Sequence, residues 1–427
     1  MQLPARWTAT AAWVLYDWAY GAFSTVVSTF VIATYVTKAV APDPATGASA
    51  WGAMQAVAGL LIAVLSVPLG AVADRGGRGR VLLGGTTAIM VVATASLWTI
   101  RPTPLDLTRA LVLVAVATVA FEIATILYNA MLPRLARPER VGLLSMLGWG
   151  AGYAGGLCCL ALCLLLLGEA DRLGLDRTRF QHVRACAVLA ASWILLFGWP
   201  LLAWSPENAA AAPWRMALRE GVRGMRATWR DALREADLRR FLLARAFYTD
   251  GLVTLFAFGG IFAAARFGLD ARGVLGFGIR LSVAAGVGTL AFAFLEDAVG
   301  AKTTILVSVL AVAVLGTGVL LVPHRGEFML LAMALGLFVG PAQAASRSMM
   351  ARLAPEQARA AYFGLFALSG RVTAFAGPAV LSAVTWATGS LRCGMATIVL
   401  FLLIGAALLA GVRYQVTIPA ARARSAT

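Results

Sequence analysis

Six charged residues stand inside stretches that are otherwise apolar: Asp17, Glu122, Arg245, Asp250, Arg280 and Arg371. A charge near the centre of a bilayer costs at least about 2.5 to 3.5 kcal/mol, so such residues persist where they face a cavity and find partners. Three acids against three bases form a set able to neutralise itself. Desolvation favours the neutral form of a carboxyl group and a neighbouring guanidinium favours the anion, so an acid whose Arg partner moves changes its hold on a proton. A guanidinium also binds carboxylate bidentately, and Arg371, midway along a Gly-rich segment, is the candidate for anion recognition. Tyr16, Tyr20, Tyr128, Asn129 and Tyr248 accompany these charges and complete the candidate set for proton coupling or substrate binding. Structural roles compete for the same residues. Asp17, five residues into its apolar run, could hold a helix end at headgroup level, and Glu122 could belong to a buried structural pair. Arg245 and Asp250 are five apart, share a helix face poorly, and are each expected to pair across helices. Tyr16, Trp18, Tyr20 and Phe23, with Tyr248 and Phe256 opposite, could line an apolar pocket or simply pack between helices.

The elements that carry these residues follow from composition. The 427 residues are 60% hydrophobic and 13% charged, with a mean hydropathy of +0.81. That is far from the roughly 25% charged of an ordinary soluble domain and places the chain in a membrane. A hydrocarbon core of about 30 Å takes roughly 20 apolar residues as helix. Twelve such runs are legible, at 12–37, 51–73, 81–100, 108–132, 141–168 and 183–204, then 240–265, 273–295, 303–322, 327–351, 361–388 and 392–412. The first run is long, contains Asp17 and lacks a small-residue cleavage site, so it reads as a retained helix.

Basic residues set the orientation. With the N-terminus inside, 22 Lys and Arg fall on the inner segments and 11 on the outer ones, so both termini are expected in the cytoplasm of a bacterial inner membrane. The formal charge of +16 reflects this asymmetry and contact with anionic headgroups rather than nucleic-acid binding. The five cysteines, at 158, 159, 163, 186 and 393, have no ligand spacing with His182 or His324 and read as small apolar packing. No metal, cofactor or enzymatic site is expected: "GAKTT" at Gly300 lacks the upstream glycine of a phosphate loop, and there is no Gly-x-Ser-x-Gly elbow.

The longest polar segment, 205–239, divides the chain into a six-helix bundle at 1–204 and a second at 240–427 with a short cytoplasmic tail. Its basic and apolar residues alternate at helical spacing, as in an amphipathic linker lying on the cytoplasmic face. The halves echo each other, as parallel transporter repeats do. "PLGAVADRGGRGR" corresponds to "AFAFLEDAVGAKTT", "YDWAYGAF" to "YTDGLVTLF", and "LGWGAGYAGG" to "LSGRVTAFAGP". Gly70, Asp74, Arg75, Gly77, Arg78 and Arg80 resemble the signature loop of the major facilitator superfamily. There glycines permit a tight turn, and an acid such as Asp74 pairs with a base and caps a helix end in the inward-closed state. These residues are the candidate cytoplasmic gate.

Longer strings carry a narrower resemblance. "ILYNAMLPRLA", "GWGAGYAGG", "DGLVTLFAFGGIFAA" and "GPAQAASRSMMARLAP", followed by "YFGLFALSGRVTAFAGP", look like the bacterial branch of the vacuolar effluxer-like family, related to the fungal vacuolar amino-acid effluxer linked to autophagy. The match covers nearly all the chain except the central loop and tails; "YDWAYGAF" departs from it at Tyr20 and Gly21, where the family usually has Asn-Ser. The resemblance implies an all-α membrane protein of twelve transmembrane helices in two six-helix pseudo-repeats, the major facilitator fold. It also implies a central cavity lined by the first, fourth, seventh and tenth spans. The expected function is secondary active export of a small organic solute, with amino acids as precedent, against protons and by a monomer. A sensor or scaffold on the same fold is the alternative.

Overall fold

The computed structural model describes residues 3–76, 79–205, 229–371 and 373–413, with positions 216, 219 and 223 between them. Among the described residues twelve helices are long and apolar enough to cross a membrane. They are α1 (Thr8–Val40), α2 (Pro44–Asp74), α3 (Gly79–Thr99), α4 (Pro104–Leu135), α5 (Pro138–Gly168) and α6 (Gln181–Trp204). The second half holds α7 (Ala236–Phe267), α8 (Arg272–Ala291), α9 (Ala301–Leu321), α10 (Arg325–Leu353), α11 (Glu356–Thr388) and α12 (Leu391–Ala410). Among the described residues there is no strand. Helices satisfy every backbone group internally, which a bilayer requires.

In the first half α1 packs on α5 and α6, α2 on α4, and α3 on α4 and α6. In the second, α7 packs on α12, α8 on α10, and α9 on α10 and α12. The halves meet where α2 lies against α11, α5 against α8 and α10, and α4 against α11. Close approach depends on small residues. A Cβ on Gly155 of α5 would lie 2.7 Å from the carbonyl carbon of Trp18 and 2.8 Å from its Cα, so only glycine lets α1 and α5 cross at that distance.

Two helices are irregular. α1 is wound loosely over Phe23–Phe30 and Val36–Val40, where hydrogen bonds run to the fifth residue back, as from Val31 N–H to Val26 O. α11 is broken: helix runs over Arg359–Arg371 and resumes at Ala376–Thr388. The sequence signal was Gly370 followed by Gly377 and Pro378. The amphipathic linker expected at 205–239 lies largely outside the described residues; 229–234 are helical, with Ala232 buried and Arg230, Asp231 and Arg234 exposed. The basic tail residues beyond 413 also lie outside them.

Candidate functional site

Asp17 is held by a residue outside the six candidate charges. Its carboxylate accepts a hydrogen bond of 2.8 Å from Nη1 of Arg347 on α10. The Arg347 side chain is 4% exposed and that of Asp17 18%, so the pair is largely withdrawn from solvent. Arg347 donates further to Ser145 Oγ at 3.0 Å, to the Ser145 carbonyl at 2.5 Å and to Asn129 Oδ1 at 3.4 Å, and it lies over the Trp13 ring. One guanidinium thus ties α1, α4 and α5 to α10. Gly148 makes room for it: a Cβ there would come 2.5 Å from Asp17 Oδ2 and 2.8 Å from Arg347 Nη2.

The second pair joins Glu122 on α4 to Arg371, the last residue before the break in α11. Among the described residues the other candidate charges make no ion pair, which corrects the expectation that three acids and three bases would neutralise one another. Arg245 donates through Nη1 to the Phe366 carbonyl at 2.6 Å and to Ser369 Oγ at 2.9 Å, with its guanidinium 3.5 Å above the Phe366 ring. Asp250 is buried, and one of its oxygens accepts from the Gly377 N–H at 2.7 Å. It therefore caps the second segment of α11, where unpaired N–H groups and the helix dipole favour an anion. The reason for the correction is local: a broken helix offers carbonyls at one stump and N–H groups at the other, and these satisfy a guanidinium and a carboxylate without an ion pair. Arg280 does not join this set. It is exposed on α8, one and two turns from exposed Val283 and Val287.

At the end of the bundle that carries Asp74, two carboxylates cap helices of the opposite half. Asp74 accepts from Ala360 N–H at 3.0 Å and Ala361 N–H at 2.9 Å, at the N-terminus of α11. Asp297, its counterpart in the second repeat, accepts from Gly142 and Leu143 N–H at 2.9 Å each, at the N-terminus of α5, and pairs with Arg352. Gly70 lets the chains touch, since a Cβ would lie 2.6 Å from the Ala360 carbonyl carbon. Arg80 donates instead to the Ala203 carbonyl at the end of α6. Gly77, Arg78 and the Arg75 side chain lie outside the described residues. Glu296, next to Asp297, is fully buried and bonded by Ser348; burial pushes its carboxyl up to about 7.

The aromatic candidates pack between helices. Tyr128 stacks on Trp13 at 4.4 Å and on Tyr16 at 5.1 Å, and its hydroxyl donates to the Trp13 carbonyl. Tyr16 donates to Tyr20, whose ring lies on Phe121, and is bonded to Thr87. Trp18 turns away to Trp193, Tyr248 is bonded to Ser346, and Phe256 is exposed.

Arg347 is the residue that the six candidate charges leave out: it stands near the inner end of the run 327–351 and counts among the 22 inner-segment bases. A signal existed in the repeat. "RLA" occurs at Arg134 and again at Arg352, and the same offset carries Asn129 onto Arg347 and Tyr128 onto Ser346. Asn129 and Arg347 are the repeat-related pair that bond each other, and Tyr128 and Ser346 each bond a residue of the first helix of their own half.

Comparison with known proteins identifies the family and the fold. The profile of the family described as "Vacuole effluxer Atg22 like" matches residues 39–421. The chain belongs to this family. An uncharacterised MFS-type transporter of Bacillus subtilis, YxiO, is 24% identical over 404 residues, covering 93% of each chain. Autophagy-related protein 22-2 of Aspergillus clavatus is 25% identical over 276 residues, which are 58% of this chain but 44% of the fungal one, so the chain spans less than half of that relative. Many solved structures share the fold of this Atg22-like chain, and two serve as examples. They are the proton:xylose symporter XylE (TM-score 0.75, 12% identity, 96% and 97% covered) and a bacterial homologue of the iron transporter ferroportin in an outward-facing state (TM-score 0.70, 10% identity, 96% and 99% covered). The chain is thus a multi-pass membrane protein of the major facilitator type, related to transporters and not to enzymes.

Proposed function

We propose that this chain is a secondary active transporter that exports a small organic solute, with amino acids as the family's precedent, in exchange for protons. Its two six-helix bundles, 1–204 and 240–427, rock about the solute as a monomer. The positive-inside asymmetry supports a bacterial inner-membrane protein with both termini and the Asp74 end in the cytoplasm. The observation that carries the reading is the pair of ionic links across the halves, Asp17 with Arg347 and Glu122 with Arg371. Opening the Asp74 end pulls α4 from α11 and α1 from α10. Each carboxylate then loses its guanidinium at the moment the site changes sides. Asp74 and Asp297 latch the same end by capping α11 and α5. A mere scaffold needs no charge pairs that part when the halves separate.

The test is solute-dependent proton movement in proteoliposomes, with a pH dye inside and amino acids or short peptides supplied outside. A signal from one solute class, abolished in Asp17→Asn with the fold retained, is the expected outcome. Silence from tight, correctly loaded vesicles across the panel would remove proton-coupled exchange of those solutes.

A further inference from the structure

Arg245 is a buried cation with no carboxylate within ion-pair distance among the described residues, and its hydrogen-bond and ring partners are on α11 of its own half. Its side chain is oriented from three sides. Phe366 covers one face, and the Phe366 carbonyl with Ser369 Oγ hold Nη1. The third constraint is Gly370, where a Cβ would come 2.8 Å from Nη1 and 3.4 Å from Nη2, so only a glycine leaves the guanidinium space. The opposite edge is unused. Nε is buried without an acceptor, and Nη2 donates to no protein atom among the described residues. Nε–H and Nη2–H lie side by side and point the same way, which is the edge of a guanidinium that receives a carboxylate through two parallel hydrogen bonds.

The charges nearby do not supply that partner. Glu122 and Arg371 lie within electrostatic reach of Arg245, but Glu122 is already paired with Arg371, so the three groups together carry one positive charge in excess. An arginine stays protonated, so the excess cannot be removed by titration, and a buried unpaired charge with an orphaned donor calls for an anion. Arg245 itself keeps 8% of its surface exposed. We infer that the solute carries a carboxylate and that the Nε/Nη2 edge of Arg245, rather than Arg371, binds it. Resting on the transport reading, this deepens it: Arg371 is the group that pairs across the halves, and Arg245 is the recognition group on α7.

The experiment is calorimetric titration of the full chain in lipid nanodiscs. The probes are L-amino acids, their C-terminal amides and the corresponding des-amino carboxylic acids, and flux is measured on the same preparations. The acids, with or without the amino group, bind at least about tenfold more tightly than the amides, because the amide cannot accept two charge-assisted bonds. Arg245→Lys, which keeps the charge but loses the fork, weakens the acids about tenfold to hundredfold and leaves the amides unchanged. Amides binding as well as acids in the unaltered protein would overturn the assignment without recourse to any variant, as would carboxylate binding untouched by Arg245→Lys or no carboxylate binding at all. Binding that depends on Arg245 without flux would leave the site standing and remove the transport reading. Flux of a solute lacking a carboxylate, unaffected in Arg245→Lys, would keep transport and remove the site.

Discussion

Replacing Asp17 with Asn changes one oxygen to an amide and leaves volume nearly constant. The Asp17 to Arg347 bond of 2.8 Å is charge-assisted, and Arg347 is 4% exposed. Removing one partner of a fully buried pair costs about 3 to 5 kcal/mol. The cost here is smaller for two reasons: Asn still offers an oxygen, and Arg347 retains Ser145 Oγ, the Ser145 carbonyl and Asn129 as acceptors. Loss of charge assistance alone is worth about 1 to 3 kcal/mol. The bond joins α1 to α10 across the halves, so that energy is subtracted from the conformation closed at the Asp74 end rather than from the fold of either half. The population ratio of the two conformations therefore moves by about five- to 150-fold toward opening that end. Spin labels at exposed positions 139 and 357, on turns of opposite halves at that end, report the change by pulsed dipolar spectroscopy. The expected result is a longer distance in Asp17→Asn with unchanged thermal unfolding of the solubilised protein. An unaltered distance distribution together with lost proton movement would refute the latch argument and leave Asp17 acting in proton transfer alone. A collapse of the fold would make the pair structural.

Other consequences are separable. Glu122→Gln deprives Arg371 of its carboxylate and is expected to lower coupled flux at least about tenfold, measured in the same proteoliposomes, with the protein still monodisperse. Asp74→Ala removes the acceptor of two N–H groups at the start of α11 and should weaken the closed end by about 1 to 2 kcal/mol, read as faster alkylation of a cysteine placed at Leu143. The Glu296 carboxyl has its pKa raised from 4.5 to about 7 by burial, so the conformation that buries it binds a proton that an opened one releases. Its contribution is complete below about pH 4.5, falls as the pH rises and is lost above about 7, a change of about 3 kcal/mol that Glu296→Gln should abolish in a pH series of the same spin-label distances. Gly155→Ala, which sets a methyl against the Trp18 backbone, should lower stability by about 1 to 3 kcal/mol in thermal unfolding, whereas Gly52→Ala, with open space around it, should raise it slightly.

The sequence by itself determined the twelve spans, because apolar run length is a local quantity that a bilayer reads directly, and its longer strings carried the resemblance to the family. It also placed Asp74 as a helix cap and Glu122 and Arg371 among the charges inside the apolar spans. Partnership was different. Asp17 and Arg347 are 330 residues apart, and the same Arg347 that reads as an inner-segment base by position becomes a buried counter-ion only once α1, α5 and α10 converge on Gly148. Arg245 and Asp250 looked like halves of ion pairs. The break in α11 instead supplied each with backbone partners, and a break fixes the direction of carbonyls and N–H groups only in three dimensions. Which charges are paired, and that Arg245 is left with an empty edge, was decided by the tertiary structure, since pairing depends on distances between helices and a sequence records only distances along one.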